Sequence, residues 1–180
     1  MFFLKGHAIS LIILTLAGFP SAALEEDKIG LQTSYMDAGY SSLSEAFYKS
    51  SHPFNRGIGL SVQDSPVLFT HNSGRLNYMN GEINGEFAMD YINQNQLENH
   101  LIIRVKPIGQ QVEFKEDEID HSIQLKHGTE AVYLFGNRFN TLAFEKDGWQ
   151  YMINTSKHTS GAINLDLLTA IANSIIETAK

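Results

Sequence analysis

Cysteine is missing from all 180 positions. Without it the chain cannot carry a disulfide, a thiolate nucleophile, a zinc–thiolate centre or the acylated cysteine of a bacterial lipoprotein, so packing has to hold it together. Basic residues are scarce as well, 13 Lys and Arg against 20 Asp and Glu. The average field therefore has the wrong sign for nucleic acid or an anionic lipid surface. No basic patch offsets it, because Arg104 and Lys106 alternate with apolar neighbours as the wet face of a strand does. No apolar run reaches the roughly 20 residues that a membrane-spanning helix needs. Motifs with built-in chemistry are lacking too: there is no G-x-S-x-G elbow, no P-loop and no H-E-x-x-H pair.

What the chain does have begins at its amino end. Lys5 precedes an apolar stretch from Ala8 to Phe19, which breaks at Pro20 and runs into the small residues Ser21-Ala22-Ala23. A positive start, an apolar core of about a dozen residues and a small-residue exit form the pattern of a secretory signal peptide. The reading over residues 1–23 predicts cleavage after Ala23 and a secreted or extracytoplasmic mature chain with no covalent membrane anchor. Lys5 is the one Lys or Arg removed, which leaves a formal charge near −8.

Residues 24–41 show little periodicity and read as a flexible arm, followed by a single α+β domain over 42–180. Ser42 with Glu45 forms a capping box, and Leu43, Ala46 and Phe47 give one apolar side to a short helix that Pro53 ends. Pro66 to Thr70 reads as a first strand or edge segment. From residue 74 onward the signals are strand and turn. Asn80-Gly81 and Asn84-Gly85 are hairpin dipeptides, and Phe87, Met89 and Tyr91 alternate after the second. Leu101, Ile103 and Val105 alternate with Ile102, Arg104 and Lys106 in a half-buried strand that Pro107 ends. His121 to Leu125 forms another, turned back through His127-Gly128 into Ala131 to Phe135.

Asp147-Gly148 marks the clearest hairpin. A type I′ turn there places Lys146 opposite Trp149, Phe144 opposite Tyr151 and Leu142 opposite Ile153, with the large apolar pairs on one face. A one-residue slip would break that grouping, so the register is well specified. The chain closes with a helix capped by Asn164, carrying Asp166 in its first turn and the stripe Leu168, Ile171, Ala172, Ile175. The expected fold is α+β: a mainly antiparallel sheet covered on one face by this C-terminal helix and the short N-terminal one.

Six histidines follow the leader, at 52, 71, 100, 121, 127 and 158, none spaced as a metal pair on one helix. The acidic run Glu113 to Asp120 lacks the alternating oxygen ligands and central glycine of a calcium loop and reads as a solvated turn. Neither metal nor cofactor is expected. His71-Asn72-Ser73-Gly74-Arg75 gathers a base, an amide, a hydroxyl and a cation. It has two readings, a polar turn with Gly74 at positive φ or an anion-binding or hydrolytic loop. The turn is favoured, because adjacent residues seldom converge on one substrate and no orienting carboxylate can be assigned. His71 and Arg75 remain the candidate ligand or partner surface. The aromatic set Tyr133, Phe135, Phe139, Phe144, Trp149 and Tyr151 is read as core packing rather than a binding groove.

Two segments together resemble a known family. Phe144-Glu145-Lys146-Asp147-Gly148-Trp149-Gln150-Tyr151 has the form aromatic-Glu-x-x-Gly-x-x-Tyr, and Leu168-Thr169-Ala170-Ile171-Ala172-Asn173-Ser174 has the form Leu-x-x-Ile-Ala-x-Ser. With the strands before them they resemble, over residues 65 to 178, a domain of unknown function in exported proteins of spore-forming Gram-positive bacteria. Its members are small secreted proteins, lipoproteins and extracytoplasmic parts of membrane-bound regulators. The resemblance implies an envelope or extracellular setting and carries over no catalytic or ligand residue. This chain departs from the lipoproteins in having no cysteine and from the regulators in having no second membrane segment.

These readings lead to an exported, soluble, non-enzymatic binding domain whose expected partner is a protein or peptide of the envelope or exterior. The alternatives are a carrier of an apolar ligand and a hydrolase whose site is assembled from distant residues such as His71, Arg75 and an acidic partner.

Overall fold

Side-chain alternation at period two dominates residues 87–156, and those residues build most of one seven-stranded antiparallel sheet. The structure is a computed structural model that describes residues 30–50, 68–77, 85–159, 161 and 163–178. Its strands are β1 (His71–Leu76), β2 (Phe87–Asn93), β3 (Gln96–Pro107), β4 (His121–Gln124), β5 (Glu130–Phe135), β6 (Phe139–Lys146) and β7 (Trp149–Ser156). They lie in the order β1-β2-β3-β7-β6-β5-β4. Three helices accompany them: α1, described over 30–37, α2 (Leu43–Ser50) and α3 (Leu165–Thr178). The leader, the Pro53 stop and the Asn80-Gly81 turn lie outside the described residues. No helix among the described residues is long and apolar enough to cross a membrane.

The α+β fold is as expected. The last hairpin has the expected register, Lys146 opposite Trp149, Phe144 opposite Tyr151 and Leu142 opposite Ile153. Asp147 and Gly148 both take positive φ, 51° and 84°, which is the geometry of a type I′ turn. Phe87, Met89, Leu101, Ile103, Val105, Leu142, Phe144, Tyr151 and Ile153 form one buried face, and Leu168, Ile171, Ala172 and Ile175 of α3 join the same cluster. The Asn164 side chain accepts the Leu167 N–H at 3.1 Å, capping α3. Lys126 ties the far end of the helix to the turn after β4, its N–H donating to Asn173 Oδ1 at 2.7 Å and its Nζ pairing with Glu177 at 2.7 Å.

At the β1 end α2 covers the same face. Ser42 Oγ accepts the Glu45 N–H at 3.2 Å, and Ala46 is buried against β1. Gly74 is what lets the helix come so close: a Cβ there would stand 2.6 Å from the Ala46 Cβ.

Three local expectations are corrected. Residues 30–37, read as part of a flexible arm, are helical. Leu68, Phe69 and Thr70, read as strand, have no regular structure, and the strand begins at His71. His71 to Arg75, read as a polar turn, is that strand. It pairs antiparallel with β2 from His71 opposite Ile92 to Leu76 opposite Phe87. The two corrections at 68–75 share one physical source: β1 holds itself by its backbone ladder and by α2, and its own side chains supply no apolar alternation to read.

Candidate functional site

A strand in place of a turn changes what His71 and Arg75 can do. In a turn their directions would be irregular, whereas in β1 His71, Ser73 and Arg75 share the face turned away from the core. Directly opposite on β2 stand Ile92, Asp90 and Ala88. Asp90 is thus the carboxylate that spacing along the sequence could not assign. Every residue of β2 is buried, and Asp90 is only 3% exposed.

The burial of β2 on this second face comes from the segment that contains α1. Tyr40 holds the Arg75 guanidinium 4.7 Å above its ring centroid, and Arg75 Nη1 donates to the Ala38 carbonyl at 3.3 Å. Ser41 exchanges backbone hydrogen bonds of 2.9 Å with Gly74, so the segment also closes part of the free β1 edge. Between α1 and β1 lies a cavity of about 500 Å³ bordered by Tyr35, Met36, Tyr40, His71, Ser73 and Asp90, among others.

Electrostatics in the cavity centre on Asp90. Its Oδ1 lies 2.8 Å from His100 Nε2, on the neighbouring strand β3. Its Oδ2 is buried and has no hydrogen-bond partner among the described residues. A carboxylate offers about four acceptor sites, so His100 and the nearby Tyr40 phenol leave some of them unused. The phenol of Tyr35 is pushed up to about 12, by burial first and then by the negative charge of Asp90. That of Tyr40 is pushed up further by the same two causes, in that order, with polar contact to the carboxylate added. Both phenols stay protonated across the physiological range.

His71 borders the cavity but is tied to Thr70, with 2.9 Å between its Nδ1 and Thr70 Oγ1. That hydroxyl also accepts the Gln94 N–H at 2.8 Å and lies 3.3 Å from the Ile92 carbonyl. It is a structural hydroxyl, occupied by backbone on the adjacent turn. The Thr155 hydroxyl donates to the His100 backbone carbonyl at 3.3 Å, but no described serine or threonine hydroxyl bonds the imidazole that Asp90 holds. The arrangement therefore contains a buried acid paired with a partly exposed imidazole, and no nucleophile in line with them among the described residues.

A second depression lies on the same sheet face at the opposite end. The loop between β3 and β4 crosses it, pinned where the Gln150 side chain accepts the Val112 N–H at 2.8 Å and donates to the Val112 carbonyl at 2.9 Å. Phe135 and Phe139 are 58% and 45% exposed beside it, unlike Tyr133, Phe144 and Tyr151, which are buried. Phe144 and Tyr151 stack at 5.0 Å between centroids. The acidic run forms a loop with a 3-10 turn at Glu116–Glu118, and no cluster suited to a metal ion occurs among the described residues.

Sequence reasoning found one wall of the cavity, His71, and the neighbouring Arg75, and missed Asp90, His100, Tyr35 and Tyr40. One signal was present. Asp90 is the single charge inside an otherwise apolar strand stretch, Phe87 to Ile92, and a lone carboxylate there needs a partner. Comparison with protein-family models, with curated proteins and with solved structures finds no match for the chain.

Proposed function

We propose that the protein is exported by its leader, is trimmed after Ala23, and works outside the cytoplasm as a non-enzymatic binding domain. Its proposed partner is a protein or peptide of the envelope or exterior, engaged through the cavity between α1 and β1. The observation that carries this reading is that a cavity of about 500 Å³ contains a buried carboxylate with an unused oxygen. Binding sites characteristically combine a preformed hollow, aromatic walls and a few convergent polar groups. The lack of an in-line nucleophile favours binding over hydrolysis. The space between the sheet and α3, where a lipid carrier would keep its ligand, is filled by Leu168, Ile171 and Ile175, each no more than 1% exposed. The family resemblance, kept as part of the proposal, points to the same setting.

Mass measurement of the protein recovered from culture medium should give a chain starting at Leu24. Amide chemical-shift mapping with a peptide library should then show changes at Tyr35, His71 and Ser73. Shifts confined to other surfaces would overturn the cavity as the site. Turnover of an envelope substrate that vanishes on changing His71 or Arg75 would overturn the non-enzymatic reading.

A further inference from the structure

We infer that the cavity between α1 and β1 receives a primary ammonium group, with Asp90 as its counter-ion; this rests on the cavity being the ligand site. The argument starts from the cost of burying a carboxylate. A charged group taken out of water needs opposite charge or several hydrogen bonds. Among the described residues Asp90 has His100 on Oδ1, the Tyr40 phenol in polar contact with the carboxylate, and no hydrogen-bond partner on Oδ2. Arg75 does not fill the gap. Its guanidinium lies over the Tyr40 ring and Nη1 donates to the Ala38 carbonyl; its Nε is buried without a hydrogen-bond partner, yet among the described residues Asp90 forms an ion pair within 4.0 Å with His100 and none with Arg75.

The other groups bordering the cavity suit an ammonium. Such a group brings three donors and no acceptor, so it needs oxygen lone pairs around it. Asp90 Oδ2, the Ser73 hydroxyl across the ladder from Asp90, and the phenol oxygens of Tyr35 and Tyr40 are the available ones. The Tyr35 ring adds a face that attracts a cation, as the Tyr40 ring does for Arg75. Glu45, which also borders the cavity, adds negative charge at the rim, although Lys49 pairs with it at 2.7 Å. An anionic ligand would instead be placed against the buried Asp90 carboxylate. The ammonium can belong to a small amine, to a lysine side chain or to a peptide amino terminus.

The test uses the mature chain from Leu24 to Lys180 and follows the amide resonances of Ser73 and Asp90. Butylamine and butanol differ in the ammonium alone. Butylamine should shift these resonances, with an affinity at least about ten-fold above that of butanol. A peptide with a free amino terminus, the same peptide acetylated, and an acetylated peptide carrying one lysine distinguish the sources. Asp90→Asn should reduce amine binding at least about ten-fold. Should that variant fail to fold, Ser73→Lys supplies a tethered ammonium opposite Asp90, and it should fold and block added amine. Equal binding of amine and alcohol overturns the inference, as does amine binding that survives both substitutions. So does the absence of amine binding, the result expected if water alone satisfies Oδ2. If acetylated neutral peptides still shift Tyr35 and Ser73 in that case, the cavity remains a binding site and only its ligand class falls.

Discussion

Gly74 shows how much one missing side chain can decide. It sits in β1 at the point where α2 crosses, with the Ala46 Cβ and Leu43 Cδ2 at 2.6 and 3.3 Å from where its own Cβ would stand. Alanine there has to push the helix off the strand, and helix α2 carries buried Ala46 with it. Overpacking of this kind costs about 1–3 kcal/mol. Gly74→Ala should therefore lower the midpoint of urea unfolding with little change in slope, and Gly74→Val should lower it further. An unchanged midpoint for both would show that α2 is not seated on β1. The tyrosines make a second prediction at this scale. Burial pushes Tyr35, Tyr91 and Tyr151 up to about 12, with the charge of Asp90 adding at Tyr35 and that of Asp147 at Tyr151. A phenol that binds its proton more tightly in the folded chain than in the unfolded one, where it titrates near 10, stabilises the fold at every pH below about 10. That contribution disappears as pH rises from 10 through 12. Unfolding free energy should fall over this window in step with phenolate absorbance, and a flat profile would contradict the burial of these rings.

Elements differ in how openly the sequence announces them, and the reason is physical. The β6–β7 hairpin was legible to the exact pairing, because Asp147-Gly148 fixes the turn and Leu142, Phe144, Tyr151 and Ile153 alternate in agreement with it. The helix α3 was equally plain from its cap and stripe. By contrast β1 was read as a turn. Its core-side positions are Asn72, Gly74 and Leu76, so contact with α2 removes the apolar alternation that marks a strand. The helix α1 escaped for a related reason. The segment that holds it packs through Tyr35 and, just beyond the helix, Tyr40, polar aromatics that meet a carboxylate and a cation rather than forming an apolar stripe. Half the site was hidden with them, since Asp90 acquires Ser73 on β1 and His100 on β3 as neighbours only through strand pairing. At the other end of the sheet, the loop from β3 to β4 is tied at its ends by backbone bonds from Ile108 to Gly148 and from Asp120 to Tyr133, and one side chain pins it between them. Gln150 is 4% exposed and pairs with both backbone groups of Val112. Gln150→Leu keeps the volume and removes both bonds, which should cost about 1–3 kcal/mol. Amide exchange at Val112 should quicken while that of β7 stays slow. Equal protection in the variant would mean that the loop is held by its apolar contacts with the sheet.

For the molecule as a whole, the order β1-β2-β3-β7-β6-β5-β4 divides the labour between the two sheet faces. One face carries the continuous apolar cluster that α2 and α3 seal, while the other is covered in patches, by the α1 segment at one end and the β3–β4 loop at the other. Stability and recognition are thereby kept on opposite sides, so a change in the sealed core can weaken the fold without altering the groups that border the cavity. Ile171 tests that separation. It is 1% exposed on α3 and belongs to the core cluster, and it does not border the cavity at β1. Ile171→Ala removes buried carbon from a site enclosed by sheet and helix, at a cost of about 2–5 kcal/mol. The chain has no disulfide with which to absorb such a loss. The melting temperature should drop by several degrees, with a single cooperative transition retained. Below that transition, the amide shifts of Tyr35, Ser73 and Asp90 should match those of the unsubstituted protein. If they move with the core, the two faces are coupled through the sheet, and the cavity has to be treated as part of one packed unit rather than as a separate site.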